Sequence, residues 1–437
     1  MKTHTNIYRI LALSIAFMVG LPPAPAQTYT WTTIAGLGGV AGTSDGIGSA
    51  ARFSQPVGIA VDNGGNAYVA DFGNRMIRKL ASNPSNSNWA VTTVANRNLE
   101  YGEFSPAAIV AATPLLLYVV DHNLTFNYGQ LRPMTLVNGV WQTATPYVAG
   151  VAEHADPFLK PTGIAINGAG ELFVTGAGCH ALHLLGQQSL NSWGNAVISG
   201  SDSNPGAADG TNQAVRLRSP SGAGVDAAGN IFVADAGNHT IRKVSRMSGT
   251  NNWATTTIAG LAGNAGNADG TNENARFNTP DGIAFDPSGT IYISDQSNNA
   301  IRKITPQGTN WVVTTIGGQL NRSYGTNDGV STAASFYQPA GLTVDNLGRV
   351  FVADYLNNTI RMGTPSAVTN PPPALQIASA GGTAFVIWPA PATGYALQTT
   401  TNAATGPWVT LTGGIRASFV FTGPMTNAQS FYRLLSQ

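Results

Sequence analysis

"VGIAVDNGGNAYVADFGNRMIRKL" (residues 57–80) reads as three short strands joined by two tight turns. "GIAVD" is a short apolar strand. In the turn from Asp62 to Gly65, the Asp side chain can bond the backbone two residues on, and Gly takes the left-handed position. "NAYVAD" alternates as a second strand, a short polar turn follows, and "MIRKL" is a third. The same phrase returns as "AGVDAAGNIFVADAGNHTIRKV" (223–244), "GIAFDPSGTIYISDQSNNAIRKI" (282–304) and "GLTVDNLGRVFVADYLNNTIRMG" (341–363). A fifth copy, "GIAINGAGELFVTGAGCHALHLL" (163–185), and a worn sixth, "AAIVAATPLLLYVVDHNL" (107–124), complete the set. The proline leading each copy falls at Pro56, Pro106, Pro161, Pro220, Pro280 and Pro339. Self-similarity at this spacing points to a propeller or a stacked array.

After each copy comes a variable stretch and then a fourth strand led by tryptophan, as in "WATTTIAG" (253–260). Four-stranded units repeated radially make a β-propeller. The ends of the repeat predict how it closes. "YTWTTIAG" (29–36) is a fourth strand with no first three before it, and the last copy ends at Arg361 with no fourth. The N-terminal strand should therefore complete the last unit. The expected fold is all-β: a six-bladed β-propeller over 29–364, closed by the N-terminal strand.

These copies resemble the NHL-repeat family, whose members are commonly six-bladed propellers. The resemblance implies a scaffold that contacts protein, RNA or glycan in some members, while some relatives are lyases with a metal held by histidines. Fold does not choose among these.

The flanks have other characters. Residues 1–26 read as a signal peptide: Lys2 and Arg9, the apolar run "ILALSIAFMVGL" (10–21), and "APA" (24–26) before Gln27. The run is short for a membrane span, so cleavage is expected, leaving an exported chain (periplasmic, cell-surface or extracellular) with no membrane span. Residues 365–374, with "NPPPA" at 370–374, form a stiff Pro-rich linker. In 375–437, "LQIAS", "TAFVIWP", "YALQTTT", "WVTLT", "ASFVFTG" and "SFYRLL" are six short strands, the spacing of a small β-sandwich that resembles fibronectin-like and Ig-like modules.

Charged residues make up 10% of the 437, against roughly 25% in an average soluble protein. Lys+Arg and Asp+Glu nearly cancel, at 22 and 21. A phosphate-binding surface needs unbalanced basic charge, so nucleic acid is not an expected partner. The single cysteine excludes an internal disulfide, and the fold must hold by packing.

Candidate chemistry is sparse. "GTSDG" (42–46) has the G-x-S-x-G spacing but sits in a loop rather than a strand-to-helix elbow. "GLGGVA" (36–41) lacks the helix that would hold a pyrophosphate, so no cofactor is expected. "GCHALHLL" (178–185) invites a metal reading. Aligned with the first copy, however, Gly176 stands for Asp71, Cys179 for Asn74, His180 for Arg75 and His183 for Arg78. If extended, Cys179 and His183 would lie roughly 13 Å apart, too far to share an ion, and no metal set is expected from this motif.

His122, His180 and His239 fall in second-to-third-strand turns, and His154 in a loop between units, at middle radius outside the channel. Arg52, Arg216 and Arg276 recur in loops that share "DG…RF" spacing, where they could salt-bridge neighbouring Asp residues. In those loops Phe53, Leu217, Phe277 and Phe336 should plug the gaps between units. These four histidines and three arginines are the candidate binding residues of one face. Asp71, Asp121, Asp235, Asp295 and Asp354, with Asn74, Asn238, Asn298 and Asn357, are repeat positions with an expected structural role. Among residues leading the first strands only Asp281 is charged, and one carboxylate does not make a site. No catalytic set is expected. The leading reading is a non-enzymatic binding or scaffold protein for a protein or glycan. The alternative is a metal-dependent propeller enzyme of lyase or lactonase type using histidines on blades 2–4.

Overall fold

The computed structural model describes residues 27–366, apart from 83–87, 97–103, 124–127, 145–146, 149–159, 190–191, 202–203 and 320–322; beyond 366 it describes the backbone of six strands. The chain divides into two units, Thr28–Ser366 and one that includes Ala367–Gln437.

The first unit is a six-bladed β-propeller. Each blade is an antiparallel sheet of strands a to d, with a innermost. Blade 1 runs Pro56–Val61, Ala67–Asp71, Met76–Ser82 and Trp89–Ala95. Blade 2 runs Pro106–Thr113, Leu116–Asn123, Tyr128–Val137 and Val140–Thr143. Blade 3 follows with Pro161–Ile166, Leu172–Gly176, Ala181–Ser189 and Ser192–Gly200. Blade 4 has Ala223–Val225, Ile231–Asp235, Thr240–Arg246 and Trp253–Ala259. Blade 5 has Pro280–Phe285, Ile291–Asp295, Ala300–Gln307 and Asn310–Gly317. Blade 6 has Pro339–Val344, Val350–Asp354, Thr359–Pro365 and, as strand d, Tyr29–Ala35 from the N-terminus. That last strand pairs antiparallel with Thr359–Pro365 from Tyr29↔Pro365 to Ala35↔Ile360, so the ring is closed by chain ends.

Two features set the shape. At the centre, a glycine two residues after the leading proline in five of the six blades (Gly58, Gly163, Gly222, Gly282 and Gly341, with Ala108 in blade 2) lets neighbouring a strands touch. A Cβ on Gly282 would stand 2.7 Å from the Ala340 carbonyl oxygen, and one on Gly58 2.9 Å from Ala108 Cα. Only glycine permits that approach, and the channel it leaves is a cavity of about 80 Å3.

At the rim, an aromatic residue of each d strand meets one on strand b of the preceding blade, edge to face. The pairs are Trp89–Phe351, Trp141–Tyr68, Trp193–Tyr118, Trp253–Phe173, Trp311–Phe232 and Tyr29–Tyr292, with centroids 5.5–6.2 Å apart. Such pairs contribute about 0.5–1.5 kcal/mol each beyond their area. All six junctions carry one, including those of the worn copies. Phe53, Leu217, Phe277 and Phe336 are fully buried, and so is Phe104 in blade 2. Phe277 packs with residues of blades 4 and 5, Phe53 with residues of blades 6 and 1.

In the tail, six strands form two three-stranded sheets. One orders Gln376–Ala380, Thr383–Ile387 and Val420–Pro424; the other orders Val409–Thr410, Tyr395–Thr400 and Phe431–Ser436.

Candidate functional site

The Asp and Asn of each full repeat build a buried clamp around an arginine. In blade 1, Arg78 on strand c donates to Asp71 (3.0 Å) and Asp45 (2.7 Å), and to the carbonyls of Arg52 and Ser44. Asp71 also accepts from the Ser54 amide and from Asn74, and Asp45 accepts from Thr93 on strand d. The guanidinium lies over Phe53, 5.1 Å from the ring centroid. The arrangement repeats with Arg242, Asp235, Asp209 and Asn238, and again with Arg302, Asp295, Asp269 and Asn298. In blade 6, Arg361 binds Asp354 and Asp328, Asn357 donates to Asp354, and the Asp328 partner on strand d is Thr33 of the N-terminal strand.

This corrects one expectation: Arg52, Arg216 and Arg276 do not salt-bridge the loop aspartates. Each donates to carbonyls of its own loop, for example Arg52 to Ala51 (2.7 Å) and Arg216 to Val215 (2.8 Å). The aspartates belong instead to the arginines of strand c, which are buried and need them more.

Blades 2 and 3 keep the position but change the chemistry. The b–c register pairs Val69 with Arg78, Val119 with Arg132 and Val174 with His183. Arg132 bonds Asp121 and, at 2.6 Å, Gln130. Burial pushes the Asp121 carboxyl up to about 6, with Arg132 pulling it down. In blade 3, His183 is fully buried, with Nε2 3.3 Å from Cys179 Sγ and Nδ1 3.3 Å from Asn195 Oδ1. Cys179 and His183 are therefore in contact, not some 13 Å apart. The turn between strands b and c folds back on itself, with His180 at φ 53°, and the extended-chain estimate fails there. Burial holds the His183 imidazole down at about 4, opposed by Asn195, so it is neutral at pH 7.

His180 and His239 share a second role. Each follows the b–c turn in the left-handed conformation, as do Asn299 and Asn358; Asn and His are among the residues that tolerate it best. Their side chains accept a main-chain N–H just before the next blade's leading proline: His180 from Ser219 (3.0 Å), His239 from Thr279 (3.1 Å), Asn299 from Gln338 and Asn358 from Gln55 (both 2.8 Å). These are clips between blades. Burial lowers the His239 pKa. His154 lies outside the described residues. Among the described residues no group of three or more His, Cys, Asp or Glu side chains is placed to hold a metal ion.

The concave feature of this face is a funnel of about 630 Å3 over the mouth of the channel. Its inner wall includes the residues that lead the a strands: Val57, Ala107, Thr162, Ser221, Asp281 and Ala340. Around them stand the first residues of the b–c turns, Phe72, Ala236, Gln296 and Tyr355, and His122, which lies in strand b of blade 2, paired with Gly129, rather than in the turn expected from the sequence. The turns thus reach the mouth, closer to the axis than the sequence suggested, and His122 lines it.

The two halves differ. Blades 6, 1 and 2 supply Tyr355, Ala340, Phe72, Val57, His122 and Ala107, a mainly apolar and aromatic arc with Gln338 as its amide. Blades 3 to 5 supply Lys160, Thr162, Ser221, Asp281 and Gln296, a hydrogen-bonding arc. Asp281 accepts from the Ser221 hydroxyl and from Gln296 Nε2 at 3.1 Å. Burial raises the Asp281 pKa, against the pull of Ser221.

Sequence reasoning noticed Asp281 but passed over Phe72, Tyr355, Gln296 and Lys160. A signal for the turn residues was present. The residue after the b-strand aspartate changes from copy to copy (Phe72, His122, Ala236, Gln296, Tyr355) while that aspartate repeats, as does, in the full repeats, the asparagine two places beyond the changing residue. A position released from the fold on an exposed face is where binding can diversify.

Comparison with known proteins agrees with this architecture. The NHL repeat pattern matches residues 53–79, 217–244 and 336–361, so three of the repeats are NHL repeats. NHL repeat-containing protein 2 of Bos taurus is 25% identical over 335 residues, covering 74% of this chain and 40% of its own length. The chain thus spans less than half of that relative. An auxiliary nutrient-binding protein from Bacteroides thetaiotaomicron superposes with TM-score 0.59 at 18% identity, over 78% of each chain. Another, from Bacteroides ovatus, does so with TM-score 0.57 at 16% identity, over 78% of each chain. At such identities the likeness is one of fold.

Proposed function

We propose that this is an exported, non-enzymatic binding protein that holds a glycan in the funnel at the channel mouth. The observation that carries the reading is the division of one concave site into an aromatic arc and a hydrogen-bonding arc. A sugar ring has the same division, with an apolar C–H face and a hydroxyl edge. The volume lies in the range of about 300–1,000 Å3 common for small-ligand sites. It is more concave than the broad surfaces typical of protein partners. The auxiliary nutrient-binding description of the two Bacteroides propellers is in keeping with it. The character of residues 1–26 supports export. We take 375–437 as a small sandwich-type module joined through a Pro-rich linker over 365–374.

The test is calorimetric titration with a panel of oligosaccharides, comparing the wild type with Phe72→Ala and Tyr355→Ala. Binding that weakens about tenfold in either variant, with melting temperature preserved, is expected. No binding across the panel, or binding that ignores both substitutions, would sink the proposal. Metal analysis of the same preparations separates the other reading. A stoichiometric metal lost in His122→Ala or His154→Ala would point to a metal-dependent enzyme.

A further inference from the structure

Asp281 differs from the fully buried carboxylates carried by the b strands. Asp71, Asp121, Asp235, Asp295 and Asp354 each face an arginine. Asp281 has two neutral donors, Ser221 and Gln296, and no ion pair among the described residues. It lines both the funnel and the narrow cavity beneath it, so it stands at the neck where they meet. The equivalent positions of the other five blades are Val57, Ala107, Thr162, Ser221 and Ala340, all uncharged. The other formal charge of the lining, Lys160, belongs to blade 3, two blades away and exposed to solvent. Tyr355 belongs to blade 6, directly next to Asp281 in the ring, and Phe72 to the blade after it.

A half-buried carboxylate with only neutral partners costs free energy that a counter-charge recovers. With the Tyr355 ring on the neighbouring blade lining the same funnel, the complementary group is an ammonium, which gains from both a carboxylate and a ring face. We infer that the glycan held here carries a free amino group: an amino sugar whose ammonium sits at Asp281 and whose apolar face lies along Tyr355 and Phe72. This inference rests on the glycan reading above.

The experiment titrates the wild-type protein with a glucosamine oligomer and with its N-acetylated counterpart, equal in length, at low and high salt. The ammonium ligand is expected to bind about tenfold or more tightly, the scale of one charge-assisted hydrogen bond, with the preference shrinking in salt. Asp281→Asn, close in shape, should erase the preference, so that the two ligands bind the variant equally. Phe72→Ala should weaken both. Equal binding of the two ligands by the wild type overturns the inference and leaves the glycan reading standing, as does a preference that survives Asp281→Asn. Binding of neither overturns the inference as well, and the oligosaccharide panel then decides the glycan reading on its own. Should Asp281→Asn fail to fold, the wild-type preference and its salt dependence still decide.

Discussion

Blades 5 and 3 have the same four strands in the same b–c register, and the same kind of aromatic pair ties each to its predecessor at the rim. Beneath that common frame they differ. Blade 5 locks strand c to its leading loop through Arg302, Asp295, Asp269 and Asn298, four groups carrying three charges. Blade 3 fills the same place with Cys179, His183 and Asn195, the imidazole neutral at pH 7. A blade can thus be positioned without the charged clamp. The charged clamp is an added lock, and one that a smaller neutral set can replace. Burial makes the charged version demanding: Asp295 and Arg302 are almost wholly shielded from water, so either alone is a liability.

The largest effect should come from breaking that pair. Arg302→Met leaves Asp295 charged in the interior and should cost about 3–5 kcal/mol, read as a lower urea midpoint with an unchanged slope. His183→Met removes only neutral hydrogen bonds and should cost about 1–3 kcal/mol. Adding Asp295→Asn to Arg302→Met should recover part of the loss by removing the orphaned charge. Equal costs in the two blades would mean the clamp is not what distinguishes them.

The second effect separates the blades by pH. The His183 imidazole is held at about 4 in the fold, against about 6.5 for an unperturbed histidine. The unfolded chain therefore binds a proton at pH values where the folded one does not. Its contribution to stability is complete above about 6.5, falls as pH drops from there toward 4, and then levels. The span is on the order of 3 kcal/mol. The carboxyls of Asp121 and Asp354, raised to about 6 by burial, act in the opposite sense, with stability falling as pH rises from their unfolded value toward 6. The informative quantity is consequently the difference between wild type and His183→Gln, measured by chemical unfolding between pH 7 and 4. That difference should shrink as the pH falls. A gap that stays constant would show that His183 titrates normally in the fold.

How far these structures were legible follows from what kind of signal each leaves. Strand order, blade number and ring closure come from residues that repeat at fixed offsets, and the unpaired "YTWTTIAG" at one end and the missing fourth strand at the other predict closure directly. Arg78 and its counterparts lie in the repeated phrase too. Yet their partners Asp45, Asp209, Asp269 and Asp328 sit 33 residues upstream, and the nearer arginines, Arg52, Arg216 and Arg276, stood out as the obvious mates. The Cys179–His183 contact was hidden because the turn between them is left-handed at His180, which no extended-strand arithmetic can anticipate. The funnel was hardest to see. Its wall draws two to four residues from each of the six blades, and Phe72 and Tyr355 gain meaning only when the ring brings them to one arc.

The smallest effect concerns the clips, and it bears on whether a histidine on this face binds anything. His239 does in blade 4 what Asn299 does in blade 5: each, in the left-handed conformation, accepts one main-chain N–H from the following blade. If that is its whole function, His239→Asn should lie within about 0.5 kcal/mol of wild type, because asparagine suits the conformation and supplies the same acceptor. His239→Ala should lose about 1 kcal/mol, one hydrogen bond together with a residue less suited to positive φ. Both variants should leave glycan affinity unchanged, since His239 does not line the funnel. A loss of affinity in the asparagine variant would assign the imidazole a role that its hydrogen bond does not contain, and would extend the binding face outward from the channel mouth.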